Sequence, residues 1–107
     1  MVVTEERLEQ ALTFIAESDL NFANLKANVL RTEFKAKAAE ALVYKSLEGS
    51  IEDKRQQTRL APEVSAAWEQ HFKSVVDFET LKARRERNFI VIELFRTFSA
   101  NLRKGQV

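Results

Sequence analysis

Apolar residues return every seven positions along the first half of the chain. Counting from Leu8, one ladder reads Leu8, Ile15, Phe22, Val29, Ala36 and Val43, with Ala11, Leu25 and Ala39 in the intervening steps. A second ladder runs beside it through Leu20, Ala27, Phe34 and Ala41, with Ala23, Leu30 and Tyr44 between them. A seven-residue repeat with two apolar positions predicts a long helix packed in coiled-coil fashion. Two ladders on one helix predict partners on two sides. Ser18 and Asp19 have the chemistry of a helix cap, so a break there, with Leu8–Ile15 folded back, is one alternative. The repeat keeps its phase from Leu8 to Val43, which argues for one continuous helix.

Local signals set the predicted ends. Thr4 is a fair N-cap, and Glu5 and Glu6 in the first turn suit the helix dipole. Gly49 suits the residue just past a helix end, giving a first helix over 4–48. Ser50 then caps a short, highly charged helix over 51–59, with Asp53 in the capping-box position. Pro62 opens a third helix over 62–104, although Ala61 before it is a poor cap. Its apolar residues run Val64, Trp68, Phe72, Val75, Phe78, Leu81, Phe89, Ile92, Phe95, Phe98 and Leu102. The three-residue steps at Val75, Phe78 and Leu81 predict a shift of the packing face.

These elements predict a single all-α domain over residues 1–107: a long antiparallel helical hairpin with a short connecting helix at its turn. Counting from the turn puts Phe34 near Val75 and Ile15 near Phe95. The segment from Phe89 to Phe98 is apolar around more than half its circumference, whereas a simple hairpin needs only a stripe of about 100°. That surplus, with the spare ladder of the first helix, predicts a homodimer forming a four-helix bundle. Phe22, Val29, Phe89, Phe95 and Phe98 are the expected self-association residues. An uncovered patch of this kind is an aggregation hazard.

Composition narrows the chemistry. The chain has 107 residues with two Gly, one Pro and no Cys, which leaves little room for turns and excludes disulfides and thiolate sites. The start of the chain does not read as a signal peptide, and no apolar run is long enough to span a bilayer; we expect no membrane association and a cytoplasmic location. Net charge is +1, but residues 1–19 hold five acids and one base, while residues 80–107 hold seven bases and two acids. An antiparallel arrangement sets these opposite ends side by side.

Catalytic and metal motifs are lacking. His71 is the single histidine, and its helical neighbours include no carboxylate, so a structural or surface role is expected. Glu79, Glu86 and Glu93 share a face, but no Glu-x-x-His motif accompanies them, and Lys82 and Arg96 lie within a turn. No phosphate-binding glycine loop occurs. We expect no catalytic residue, no metal and no cofactor. Lys82, Arg84, Arg85 and Arg87 form the main basic cluster and are the candidate nucleic-acid contacts. Glu86 interrupts them, and a solvated helix face is the commoner meaning of such a run. The same register puts the cluster near residues 23–28.

The segments Glu33-x-x-x-Lys37-x-x-x-Ala41, Glu48-Gly49-Ser50-Ile51-x-Asp53-Lys54-Arg55 and Leu81-x-x-x-Arg85, and the tail from Glu93 to Arg103, resemble small all-helical proteins of tailed bacteriophages and prophages. The most specific part is Arg96, Ala100, Asn101, Arg103 and Gly105. Such proteins are often encoded among early replication or recombination genes, and no activity or catalytic residue carries over from them. The resemblance implies a bacterial host cytoplasm. The expected function is a non-enzymatic, self-associating scaffold or adaptor for an unidentified protein partner, in phage DNA metabolism. The alternative is an accessory nucleic-acid-binding protein using residues 82–87.

Overall fold

The computed structural model describes residues 3–105. Helix accounts for 93% of it, and the described residues include no strand. The order is α1 (Glu5–Ser46), α2 (Ile51–Leu60) and α3 (Pro62–Gly105). It is an all-α fold in which segments of α1 pack antiparallel on segments of α3, the helical-hairpin class expected from the repeat.

Each helix end has a local cause. The Arg7 amide donates to Thr4 Oγ1 at 3.1 Å, and the Leu8 amide to the Thr4 carbonyl at 3.0 Å. α1 passes unbroken through Ser18 and Asp19, because Ser18 Oγ turns back to the Ile15 carbonyl at 3.3 Å instead of capping a new helix. α1 stops at Ser46, sooner than expected from Gly49. Ser46 Oγ donates to the Val43 carbonyl at 2.7 Å, and the Leu47 amide closes the last turn on Tyr44. Gly49 still takes the left-handed region, with φ +121°, but in the connector rather than at the helix end. Ser50 caps α2, accepting from the Asp53 amide at 3.2 Å. The Ala61 carbonyl accepts from the Val64 and Ser65 amides at 3.1 Å each, so the first turn of α3 is tied without a capping side chain.

The chain divides into two compact units. One is Asn24–Phe78, which contains the end of α1, all of α2 and the start of α3. Its buried residues are Ala36, Thr58, Val64 and Ser74. Asn28 Nδ2 donates to Ser74 Oγ at 3.0 Å, and Thr32 Oγ1 meets His71 Nδ1 at 3.1 Å. These pairs correct the expected meeting of Phe34 with Val75 by about two turns. α2 lies beside the end of α1, with Lys54 Nζ 4.5 Å over the Tyr44 ring, so α3 begins level with about Ala41.

The other unit holds the chain up to Ala23 and from Glu79 onward. Arg7 Nη1 donates to Asn88 Oδ1 at 3.2 Å, and Arg85 Nη1 donates to the Ile15 carbonyl at 3.1 Å. Ile15 therefore faces Arg85, not Phe95. Extending this register, α3 runs past the first turn of α1 near residue 93. Leu94, Phe98 and Leu102, spaced by four, are exposed beyond it. The acidic stretch 1–19 and the basic stretch from residue 80 onward thus share one unit, as the charge split suggested, and Asp19 and Arg85 make an acid–base contact between them at 2.7 Å.

The first ladder of α1 is the packing seam. Leu8, Ala11, Ile15, Ser18, Phe22, Leu25, Val29, Thr32, Ala36, Ala39 and Val43 are all buried or half-buried. On α3 a covered stripe runs through Val64, Ala67, His71, Ser74, Phe78, Leu81, Arg85, Asn88, Ile92, Phe95 and Ser99 in strict alternation of three and four, with Trp68, Val75 and Val91 half-buried beside it. The stripe keeps its phase through Ser74, Phe78 and Leu81, while the cover beside it passes from Trp68 and Val75 to Val91. A strict heptad keeps one stripe against a partner over many turns, and here it does so with five polar residues in that stripe. Phe72, Phe89 and Phe98 are left exposed.

Candidate functional site

A polar seam leaves apolar residues outside it. Leu20, Leu30 and Phe34 of the second ladder are 74%, 63% and 75% exposed, and Ala23, Ala27 and Ala41 are exposed with them. Tyr44 alone in that ladder is half-buried, under Lys54. Among the described residues no large side chain is fully buried. The accessible surface is 8206 Å², against about 6,100 Å² for a compact monomer of this mass.

In the 24–78 unit an open groove of about 900 Å³ lies where α1, α2 and α3 meet. Ala41, Tyr44, Val64, Trp68 and Phe72 supply apolar walls, and Lys37, Arg55 and Arg59 supply cations. Trp68 Nε1 donates to Glu40 Oε1. Trp68 also stands edge-on to His71, with ring centroids 5.5 Å apart, and Phe72 lies 6.0 Å from both. Thr32 Oγ1 lies 2.8 Å from the Asn28 carbonyl and 3.1 Å from His71 Nδ1, within hydrogen-bond reach of both. His71 is thus a seam residue among rings and a hydroxyl. Among the described residues no three His, Asp or Glu side chains gather as a metal-binding group.

The basic cluster is divided by the fold. Arg85 is drawn into the seam: Nη1 donates to Ser18 Oγ at 2.7 Å and to the Ile15 carbonyl, Nη2 reaches Asp19 Oδ1, and the guanidinium lies 4.7 Å from the Phe22 ring centroid. It is therefore not a free nucleic-acid contact. The cluster sits along Phe14–Asp19 rather than residues 23–28. Arg84 lies over Phe14, with its guanidinium carbon 4.3 Å from the ring centroid. Arg84 and Arg87 line a cleft with Arg7, Gln10, Phe14, Asn88 and Val91. Lys82 is exposed and lines none of the grooves described here.

Of the expected self-association residues, Phe22 and Val29 are seam positions half-covered within the chain. Phe22 in particular is held under Arg85, because the first ladder is the one that meets α3. Phe95 is a half-buried seam position, while Phe89 and Phe98 are open. Arg7, Asn88, Tyr44 and Trp68 were not singled out as site residues from the sequence, yet they line the two grooves. The legible signal was the three–four alternation from Val64 through His71 and Arg85, which marks the polar residues as inward. No helix among the described residues is long and apolar enough to cross a membrane. No protein-family model, curated protein or solved structure matches the chain.

Proposed function

We propose that the chain is a helical scaffold or adaptor, without enzymatic activity of its own, that self-associates as a homodimer through the apolar face its intramolecular seam leaves open. The observation that carries this reading is the open second ladder: Leu30 and Phe34 stand exposed on the side of α1 that does not face α3. The surface in excess of a compact monomer is about 2,000 Å² per chain, ample for an interface that buries about 800 Å² per partner. A second copy supplies the same ladder, so an isologous contact lets each Phe34 pack against its symmetry mate's apolar face. Phe89 and Phe98 are further open apolar positions for such an assembly, or for the protein partner of an adaptor. The resemblance to phage proteins supports placing this role in the DNA metabolism of a phage or prophage, in the cytoplasm of the host bacterium.

Light scattering over a concentration range, at low and high salt, tests the proposal. The expected mass is twice 12.3 kDa in both, because apolar burial is not screened by salt. Phe34→Asp should give a monomer with unchanged helical circular dichroism, since that side chain is three-quarters exposed in the single chain. A wild-type monomer at every concentration, or a Phe34→Asp variant that stays dimeric, refutes the proposal.

A further inference from the structure

Arg7, Arg84 and Arg87 line one cleft of about 510 Å³ between α1 and α3, in the unit that ends at Ala23 and resumes at Glu79. Three guanidiniums in one cleft repel one another, and such a cluster is ordinarily laced with carboxylates. Here no carboxylate lines the cleft, and none of the three arginines forms an ion pair among the described residues. Arg85, their neighbour in sequence, shows the contrast: its guanidinium is satisfied by Ser18, Ile15 and Asp19.

Two of the three are nevertheless held in place. The Asn88 side chain is buried, and its Nδ2 donates to the Arg84 carbonyl at 2.8 Å. That bond turns Oδ1 toward Arg7, which donates to it from Nη1 at 3.2 Å. The Arg84 guanidinium rests on the face of Phe14. Neutral groups thus fix the positions of two cations without neutralising them, and most of their N–H donors are left unused.

We propose that this cleft binds a compact phosphate-bearing ligand, a phosphoester or pyrophosphate group, on Arg7, Arg84 and Arg87. The planar fork of a guanidinium matches two phosphate oxygens at once, and a multiply charged anion answers three cations better than a single carboxylate does. The neighbouring groove sets the size of the ligand. It is lined by Glu6, Glu9 and Glu17 and shares Gln10 and Phe14 with the cleft. A long polyanion laid along α1 meets these acids, whereas a short group confined to the cleft does not. The phosphate belongs either to a free molecule or to the end of a nucleic-acid strand.

Calorimetric titration of the full chain tests the site with sodium pyrophosphate, against sodium chloride at equal ionic strength. A strand carrying a 5′-phosphate, compared with the same strand ending in a hydroxyl, separates the two sources. Saturable pyrophosphate binding at one site per chain is expected. Arg87→Ala should weaken it about tenfold or more, and Arg87→Lys should restore only part, since an ammonium cannot fork. Arg87 is exposed and forms no ion pair among the described residues, so helical content should not change. Lys82→Ala should leave the affinity as it was. A strand that binds only with its 5′-phosphate supports the strand end as source; binding of pyrophosphate with neither strand supports a free ligand. No saturable heat beyond the chloride control overturns the proposal. So does an affinity untouched by Arg87→Ala, or strand binding that grows with length and ignores the terminal phosphate.

Discussion

Replacing Arg85 removes the guanidinium that ties α3 to α1 in its unit, and the structure sets the size of the loss. The side chain is 11% exposed, whereas its partner Asp19 is 65% exposed. The ion pair is therefore well screened and contributes less than about 1 kcal/mol. The two bonds from Nη1, to Ser18 Oγ and the Ile15 carbonyl, are inside the seam, where hydrogen bonds from a charged donor contribute about 1.5 kcal/mol or more each. Stacking against Phe22 and Phe89, at 4.7 and 5.9 Å, adds about 0.5 kcal/mol. Against these stands the cost of desolvating the cation, which is recovered when the charge is removed. Arg85→Ala also leaves a hole in the seam, so it should lose about 3 kcal/mol. Arg85→Met fills the hole and should lose about 1–2 kcal/mol, while Asp19→Ala should lose less than about 1 kcal/mol. Urea unfolding followed by far-UV circular dichroism, at one protein concentration for all variants, measures the order. If Asp19→Ala costs as much as Arg85→Ala, the exposed ion pair rather than the seam bonds holds the helices. If Arg85→Met is as stable as the wild type, the guanidinium contributes nothing net and the reasoning fails.

The connector offers two further tests by the same unfolding assay. Gly49→Ala should destabilise by about 1–3 kcal/mol; an added Cβ meets only the Asp53 Cβ at an ordinary 3.9 Å, so the cost lies in the backbone at φ +121°. Gly105→Ala, with nothing within 4 Å of the new methyl, should be neutral by comparison. Ser50→Ala should lose about 1 kcal/mol, and Ser50→Asp should keep the wild-type value, because either native or acidic oxygen can accept the Asp53 amide.

Much of the secondary structure was legible in the chain itself. Thr4, Ser50, Gly49 and Pro62 act within a few residues of where they stand, and a local rule finds them. The first ladder of α1 was also legible as a packing stripe, because six apolar residues held one phase across Ser18 and Asp19. The phase of α3 was not. Two stripes compete along it, one of large apolar residues through Phe72, Phe89 and Phe98, the other a strict heptad carrying His71, Ser74, Arg85 and Asn88. Hydrophobicity favours the first. Only the facing helix decides for the second, since Asn28, Thr32 and Ser18 on α1 supply partners that an isolated reading of α3 lacks. The register was hidden for a related reason. Counting from the turn treats α2 as a cap, whereas the contact of Lys54 with Tyr44 lays it beside the end of α1. The basic cluster shared that fate, its arginines being sorted by which side of α3 each side chain leaves. Capping and periodicity are properties of a short stretch of chain and can be read from it; phase, register and the sorting of charges depend on a second surface, and exist only once the two helices meet.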